Sequence, residues 1–138
     1  MWKCAFAALV LAIGCGPKTD RLPLSGTITL DGAPLDKGKI EFASIGDAPL
    51  QSTGAVIRAG SYEIPAEKGL LPGTFHVEIS SPDTEAKPVK VSGYPGGPTI
   101  SVAPDRIPPE FNVDSEKRVD VTREGDNVFD FDVTSAKK

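Results

Sequence analysis

Four groups of residues in this chain have types that do chemistry. His76, the only histidine, stands in Phe75-His76-Val77-Glu78-Ile79. Strand periodicity places it on one face with Glu78, where an imidazole beside a carboxylate could move a proton near neutral pH. No second histidine or nearby cysteine assists it, and the same alternation describes a hydrated strand face, which is the reading adopted. Asp120, Asp126, Asp130 and Asp132 offer oxygens to a cation such as Ca²⁺, which takes about six to eight. The stretch DVTREGDN, residues 120–127, lacks the ligand spacing of a calcium loop. These carboxylates read better as outer-face charges that keep strand edges from pairing, and neither a metal nor another cofactor is expected. Tyr94-Pro95-Gly96-Gly97-Pro98 has no phosphate-loop lysine and no strand–helix context. It is a candidate ligand loop in which Tyr94, Gly96 and Gly97 present one aromatic on a flexible turn. Cys15 closes the run Leu11-Ala12-Ile13-Gly14-Cys15, as a buried thiol, a metal ligand or a processing site.

The elements around Cys15 narrow those choices. Residues 1–15 read MWKCAFAALVLAIGC: one lysine, then an uncharged apolar run ending in small residues. The run is shorter than the roughly 20 residues a spanning helix needs and has the layout of a secretory signal. A plain signal peptide with an incidental Cys15, or a buried hydrophobic segment, are the competing readings. Removing the leader with its Lys3 makes the formal net charge of −4 one unit more negative. An acidic chain is a poor partner for nucleic acid or for an anionic lipid surface through a polybasic patch. The only other cysteine, Cys4, lies inside the leader, so the domain must be held by an aliphatic and phenylalanine core.

Period-2 alternation recurs after residue 22. LPLSGTITL (22–30) points Leu24, Gly26, Ile28 and Leu30 one way; KIEFAS (39–44) buries Ile40 and Phe42. TGAVIR (53–58) and SYEIP (61–65) follow, the latter with Tyr62 and Ile64 on one face, and GTFHVEIS (73–80) buries Phe75, Val77 and Ile79. Asp31-Gly32 and Ala59-Gly60 are turns, with positive φ expected at Gly32. Residues 82–111 hold seven of the 13 prolines and read as an irregular loop with short edge strands at 88–92 and 99–103. KRVDVT (117–122) and NVFDFDVT (127–134) read as a closing hairpin over the turn REGDN, with Asp120 opposite Asp130 and Asp132. Tyr62 is expected to reach a backbone group across the end of the domain, and Phe111 to plug the core. About seven short strands separated by turns point to an all-β sandwich.

Two resemblances add to this. Leu11–Cys15 resembles the lipobox of bacterial lipoproteins, with Ala12 departing from the usual leucine. The resemblance implies cleavage between Gly14 and Cys15 and lipidation of Cys15. It further implies an envelope location, with the outer membrane facing periplasm or surface favoured because position 16 is not aspartate. LSGTITLDGAPLDKGKIEF and GSYEIPAEKGLLPGTFHVEI, with the closing stretch from Arg106, resemble carboxypeptidase-regulatory-like domains, also called transthyretin-like or prealbumin-like. That implies a seven-stranded antiparallel Greek-key β-sandwich of prealbumin-like type preceded by a lipoprotein signal peptide. The organisation expected is a signal at 1–14, a lipidated tether at 15–21, the sandwich at 22–134 with loop 82–111, and a tail at 135–138. Related ureide hydrolases need several site histidines, so that activity does not carry over. The function expected is a non-catalytic module, lipid-anchored in the membrane through Cys15 and serving envelope structure or protein interaction. The alternative is a module that binds a small ligand or glycan through loop 82–111.

Overall fold

The computed structural model describes residues 20–46 and 50–135; the Gly14–Cys15 cleavage and lipidation site lies outside them. The chain is all-β. Its strands are β1 (Leu24–Leu30), β2 (Ala33–Pro34), β3 (Lys37–Ser44), β4 (Ser52–Arg58), β5 (Ser61–Ile64), β6 (Gly73–Ser80), β7 (Val89–Ser92), β8 (Thr99–Val102), β9 (Arg118–Val121) and β10 (Phe131–Val133). Single 3₁₀ turns occupy Ala66–Lys68 and Pro109–Phe111. One curled sheet runs β10-β1-β5-β4-β3-β6-β9, with β2 branching from β1, while β7 and β8 form a separate two-stranded ribbon.

The curl follows from a short joint. Ala59 and Gly60 both have positive φ, the backbone of a tight two-residue turn matched to strand twist. Beyond the single pair Arg58↔Ser61, β4 stays with β3 and β5 goes to β1. The two halves therefore fold face to face over one core. Phe42 of β3 lies 6.0 Å from the Tyr62 ring of β5 and 6.4 Å from Phe129, centroid to centroid, although none of these are sheet neighbours. The alternating residues singled out above, among them Ile28, Ile40, Phe75 and Val77, are buried, except Leu30 at the end of β1, which is half-buried. Gly32 has φ +82° beside Asp31 at +53°, as a turn joining β1 to β2 requires.

Two expectations are corrected. No hairpin joins β9 to β10: β9 pairs with β6 and β10 with β1, at opposite ends of the strand order. The β1–β10 pairing is also parallel, so the sheet is mainly, not wholly, antiparallel. The reason lies in residues 122–130. The Asn127 amide closes that loop on itself, receiving from Thr122 N and donating to Thr122 O, both at 3.0 Å. Ser25 N then donates to Asn127 O and Phe129 N to Ser25 O, which ties the segment to β1 and packs Phe129 on the core. Phe111 is half-buried at the margin of the core with the Lys117 ammonium 4.8 Å over its ring. The fully buried side chain from that region is Ile107.

Tyr62 does reach across the end of the domain, donating to Phe129 O at 2.8 Å. Burial, with the Asp130 charge nearby, pushes its phenol well above the ordinary value of about 10. Below pH ~10 the phenol is neutral in folded and unfolded chains alike. Above it the unfolded phenol ionises while the folded one stays neutral, so the fold loses stability as pH rises. Tyr62→Phe should cost about 1–2 kcal/mol at neutral pH and flatten the alkaline limb of a urea-midpoint-versus-pH curve. An unchanged limb would show that another group governs it.

Candidate functional site

The residues expected to do chemistry do not converge. His76 faces outward with Nε2 at the Ser115 carbonyl and Nδ1 3.8 Å from Glu78 Oε1. A carbonyl only accepts, so Nε2 carries the proton and donates. Each of the strand aspartates accepts from a threonine on the neighbouring strand. Asp130 takes Thr27 N at 2.7 Å and Thr27 Oγ1 at 3.0 Å, Asp132 takes Thr29 Oγ1 at 2.6 Å, and Asp120 takes Thr74 Oγ1 at 2.7 Å. Asp120 thus sits beside β6 and the other two beside β1; the expected juxtaposition is overturned because the hairpin is. Among the described residues no group of three His, Cys, Asp or Glu is placed to hold a metal ion.

What the fold does build is a clamp carrying the β7–β8 ribbon. Ser81, fully buried after β6, donates its N–H to Asp105 Oδ1 at 2.9 Å and its hydroxyl to Lys37 O at 2.6 Å. The same Asp105 oxygen accepts Ile107 N at 2.8 Å, and Oδ2 accepts Asn112 Nδ2 at 2.9 Å. Arg106 N donates to Ser81 O at 3.0 Å, and its guanidinium reaches Asp36 Oδ1 at 2.7 Å as well as the Ser81 hydroxyl. The hydrogen bond from Arg106 holds the Asp36 carboxyl below the usual carboxylate range. Across the clamp Pro82 pairs with Asp105, and Asp83 N donates to Pro104 O at 2.8 Å. Two backbones leave this base side by side and become β7 and β8.

Sequence reasoning placed the two edge strands and left the clamp unnoticed. A signal existed: Asp105-Arg106-Ile107 is a polar pair and one aliphatic residue within a proline run. Asp105→Ala would strip acceptors from Ser81 and Ile107 N–H groups at once. We expect a loss of about 2–3 kcal/mol, discounted for the exposure of the carboxylate, with faster amide exchange at Ser81 and Ile107. Unchanged exchange at both amides would refute the clamp.

Within the ribbon Val89 pairs with Val102 and Val91 with Ile100. Residues directly opposite share a face, so these four form one apolar face and Lys90, Ser92, Thr99 and Ser101 the other. Tyr94, Gly96 and Gly97 form the tip, which places the expected ligand-loop residues together. Gly96 has φ +79°, and a Cβ on Gly97 would stand 2.8 Å from the Tyr94 ring, so the aromatic lies against bare backbone. Gly97 N donates to Tyr94 O at 3.0 Å and Ser92 Oγ to the same oxygen at 2.8 Å.

Comparison with protein-family models, with curated proteins and with solved structures finds no match for this chain. The functional reading therefore stands on the residues themselves. Among the described residues no helix is long and apolar enough to cross a membrane.

Proposed function

We propose that this chain is a lipid-anchored envelope protein whose domain, a sandwich of prealbumin-like type, is a non-catalytic structural or interaction module. Processing before Cys15 would leave that cysteine acylated, and residues 16–21 would tether the domain to an outer membrane facing periplasm or surface. The observation carrying the interaction half is the clamped ribbon. It is held rigidly at its base, belongs to no larger sheet, and presents apolar side chains to solvent. Binding sites are commonly loops positioned on a rigid scaffold in this way. A glycan-binding use of loop 82–111 is supported less well, since Tyr94 is the only aromatic residue of the ribbon, residues 89–102.

The anchor has a direct test. The full chain expressed in a lipoprotein-processing bacterium should partition into the detergent phase and yield an acylated amino-terminal peptide by mass spectrometry. Cys15→Ala should move it to the aqueous phase or leave the leader uncleaved. An unmodified Cys15 in the native chain would end the lipoprotein reading.

A further inference from the structure

We propose that the β7–β8 ribbon is a second membrane contact, its apolar face and tip seated in the headgroup region of a bilayer containing anionic lipid. It rests on the envelope reading only for the presence of a bilayer. Three of the four residues on the apolar face stay open to solvent, with Val89 46%, Val91 39% and Ile100 59% exposed, as does Tyr94 at the tip at 64%; Val102, nearest the base, is half-buried. From Val91 through Ser101 there is no Asp, Glu, Lys, Arg or His.

Part of the tip's polar demand is met within the tip or is absent. Pro95 and Pro98 have no N–H, the Gly97 N–H is used internally, and the Ser92 hydroxyl donates inward. A tyrosine beside prolines and glycines suits the boundary between headgroups and acyl chains, where amphipathic rings concentrate.

Charge favours a bilayer as the occupant. In residues 86–104 the only charged residues are Lys87 and Lys90, within a chain of net charge −4. The ribbon is thus the part of an acidic molecule that an anionic surface attracts, each lysine contributing through the surface potential. Lys90 faces away from the valines, so its stem can reach headgroups while Val89 and Val91 contact the apolar layer.

Depth is bounded by the backbone. Both outer edges of the ribbon are unpaired, and unpaired amides are not tolerated in hydrocarbon, so the contact is interfacial. A second copy is a poorer occupant, because one face of eight strand residues offers less than the roughly 800 Å² per partner of a stable interface.

The ribbon and the amino-terminal tether are separate attachments. Leu22 pairs with Leu70, just before β6 begins, whereas the ribbon leaves from the far end of β6 at Ser80. Attachment at both ends would lay the domain along the bilayer.

The test uses the full chain carrying Trp2→Phe and Tyr94→Trp, so that the only indole is at the tip. It is mixed with vesicles of phosphatidylcholine, or of phosphatidylcholine and phosphatidylglycerol in equal parts, with and without brominated acyl chains. On the anionic vesicles the indole emission should shift to the blue and be quenched by bromine, with a weaker response on phosphatidylcholine alone. Val91→Lys with Ile100→Glu, an opposite-charge pair directly across the strands that leaves the net charge unchanged, should abolish both signals while leaving the unfolding temperature close to that of the parent. Lys87→Glu with Lys90→Glu should abolish the advantage of the anionic vesicles. Water-like emission from vesicle-bound protein would overturn the proposal. So would a blue shift that grows with protein concentration in lipid-free buffer, which would assign the ribbon to a second copy. The two readings separate in the Cys15→Ala background: a shielded indole there keeps the ribbon contact whatever becomes of the anchor.

Discussion

Gly26→Ala should destabilise the domain by more than about 4 kcal/mol, beyond the range of ordinary substitutions. Gly26 lies on the inner face of β1, where a Cβ would stand 1.9 Å from Phe129 O, 2.7 Å from Phe129 C and 2.8 Å from the Tyr62 hydroxyl. The obstacle is backbone and cannot swing away as a side-chain tip would. Phe129 N is bonded to Ser25 O at 2.9 Å, Ser25 N to Asn127 O at 3.2 Å, and the Phe129 carbonyl accepts from Tyr62. A methyl here must therefore push β1 away from the segment leading into β10 and break those bonds together. Small domains have about 5–15 kcal/mol of stability in all, so a large part of the population would unfold. Gly73→Ala is the matched control. Its Cβ would meet only the Phe75 ring, at 3.6 Å and beyond, an ordinary contact, and the change should be nearly neutral. Urea midpoints of the two variants make the comparison; similar midpoints would refute the close approach at Gly26.

Phe42→Ala should cost about 3–5 kcal/mol, the usual price of emptying an aromatic site in a core. Phe42 is fully buried on β3, in one half of the curled sheet, and packs across the core on Tyr62 and Phe129, both of the other half. Tilted aromatic pairs at such separations add about 0.5–1.5 kcal/mol beyond area burial. Phe111→Ala should cost much less, because that ring is half-buried at the margin beneath Lys117. Equal losses at the two positions would mean that the halves are not held together by the Phe42 cluster.

The inner-facing alternation was legible in β1, β3, β5 and β6 because each of these strands buries one face and the period of two shows in the residues. The turns at Asp31-Gly32 and Ala59-Gly60 were legible for the same local reason, since few residues tolerate positive φ. The Tyr62 reach was anticipated as a contact, although its partner, the Phe129 carbonyl, could not be named. The misreading at the carboxyl end has an instructive cause. RVDV and FDV alternate like the arms of a hairpin, and REGDN looks like its turn, yet nothing local reports that Phe129 bonds to β1 and packs on Phe42. The clamp at Asp105 escaped notice because its partners, Asp36, Ser81 and Asn112, come from three separate stretches of chain.

The sequence by itself determined the strand content, the inward faces, the tight turns and the charge-free tip at Tyr94, since each depends on neighbours within a few residues. The tertiary structure alone decided that β10 runs parallel to β1 and that Asp120 is parted from Asp130 and Asp132. It also decided that the ribbon stands clear of the main sheet on a clamp built around Asp105. Those outcomes depend on which apolar side chains find room together and which buried amides find acceptors, a competition settled only when distant segments meet.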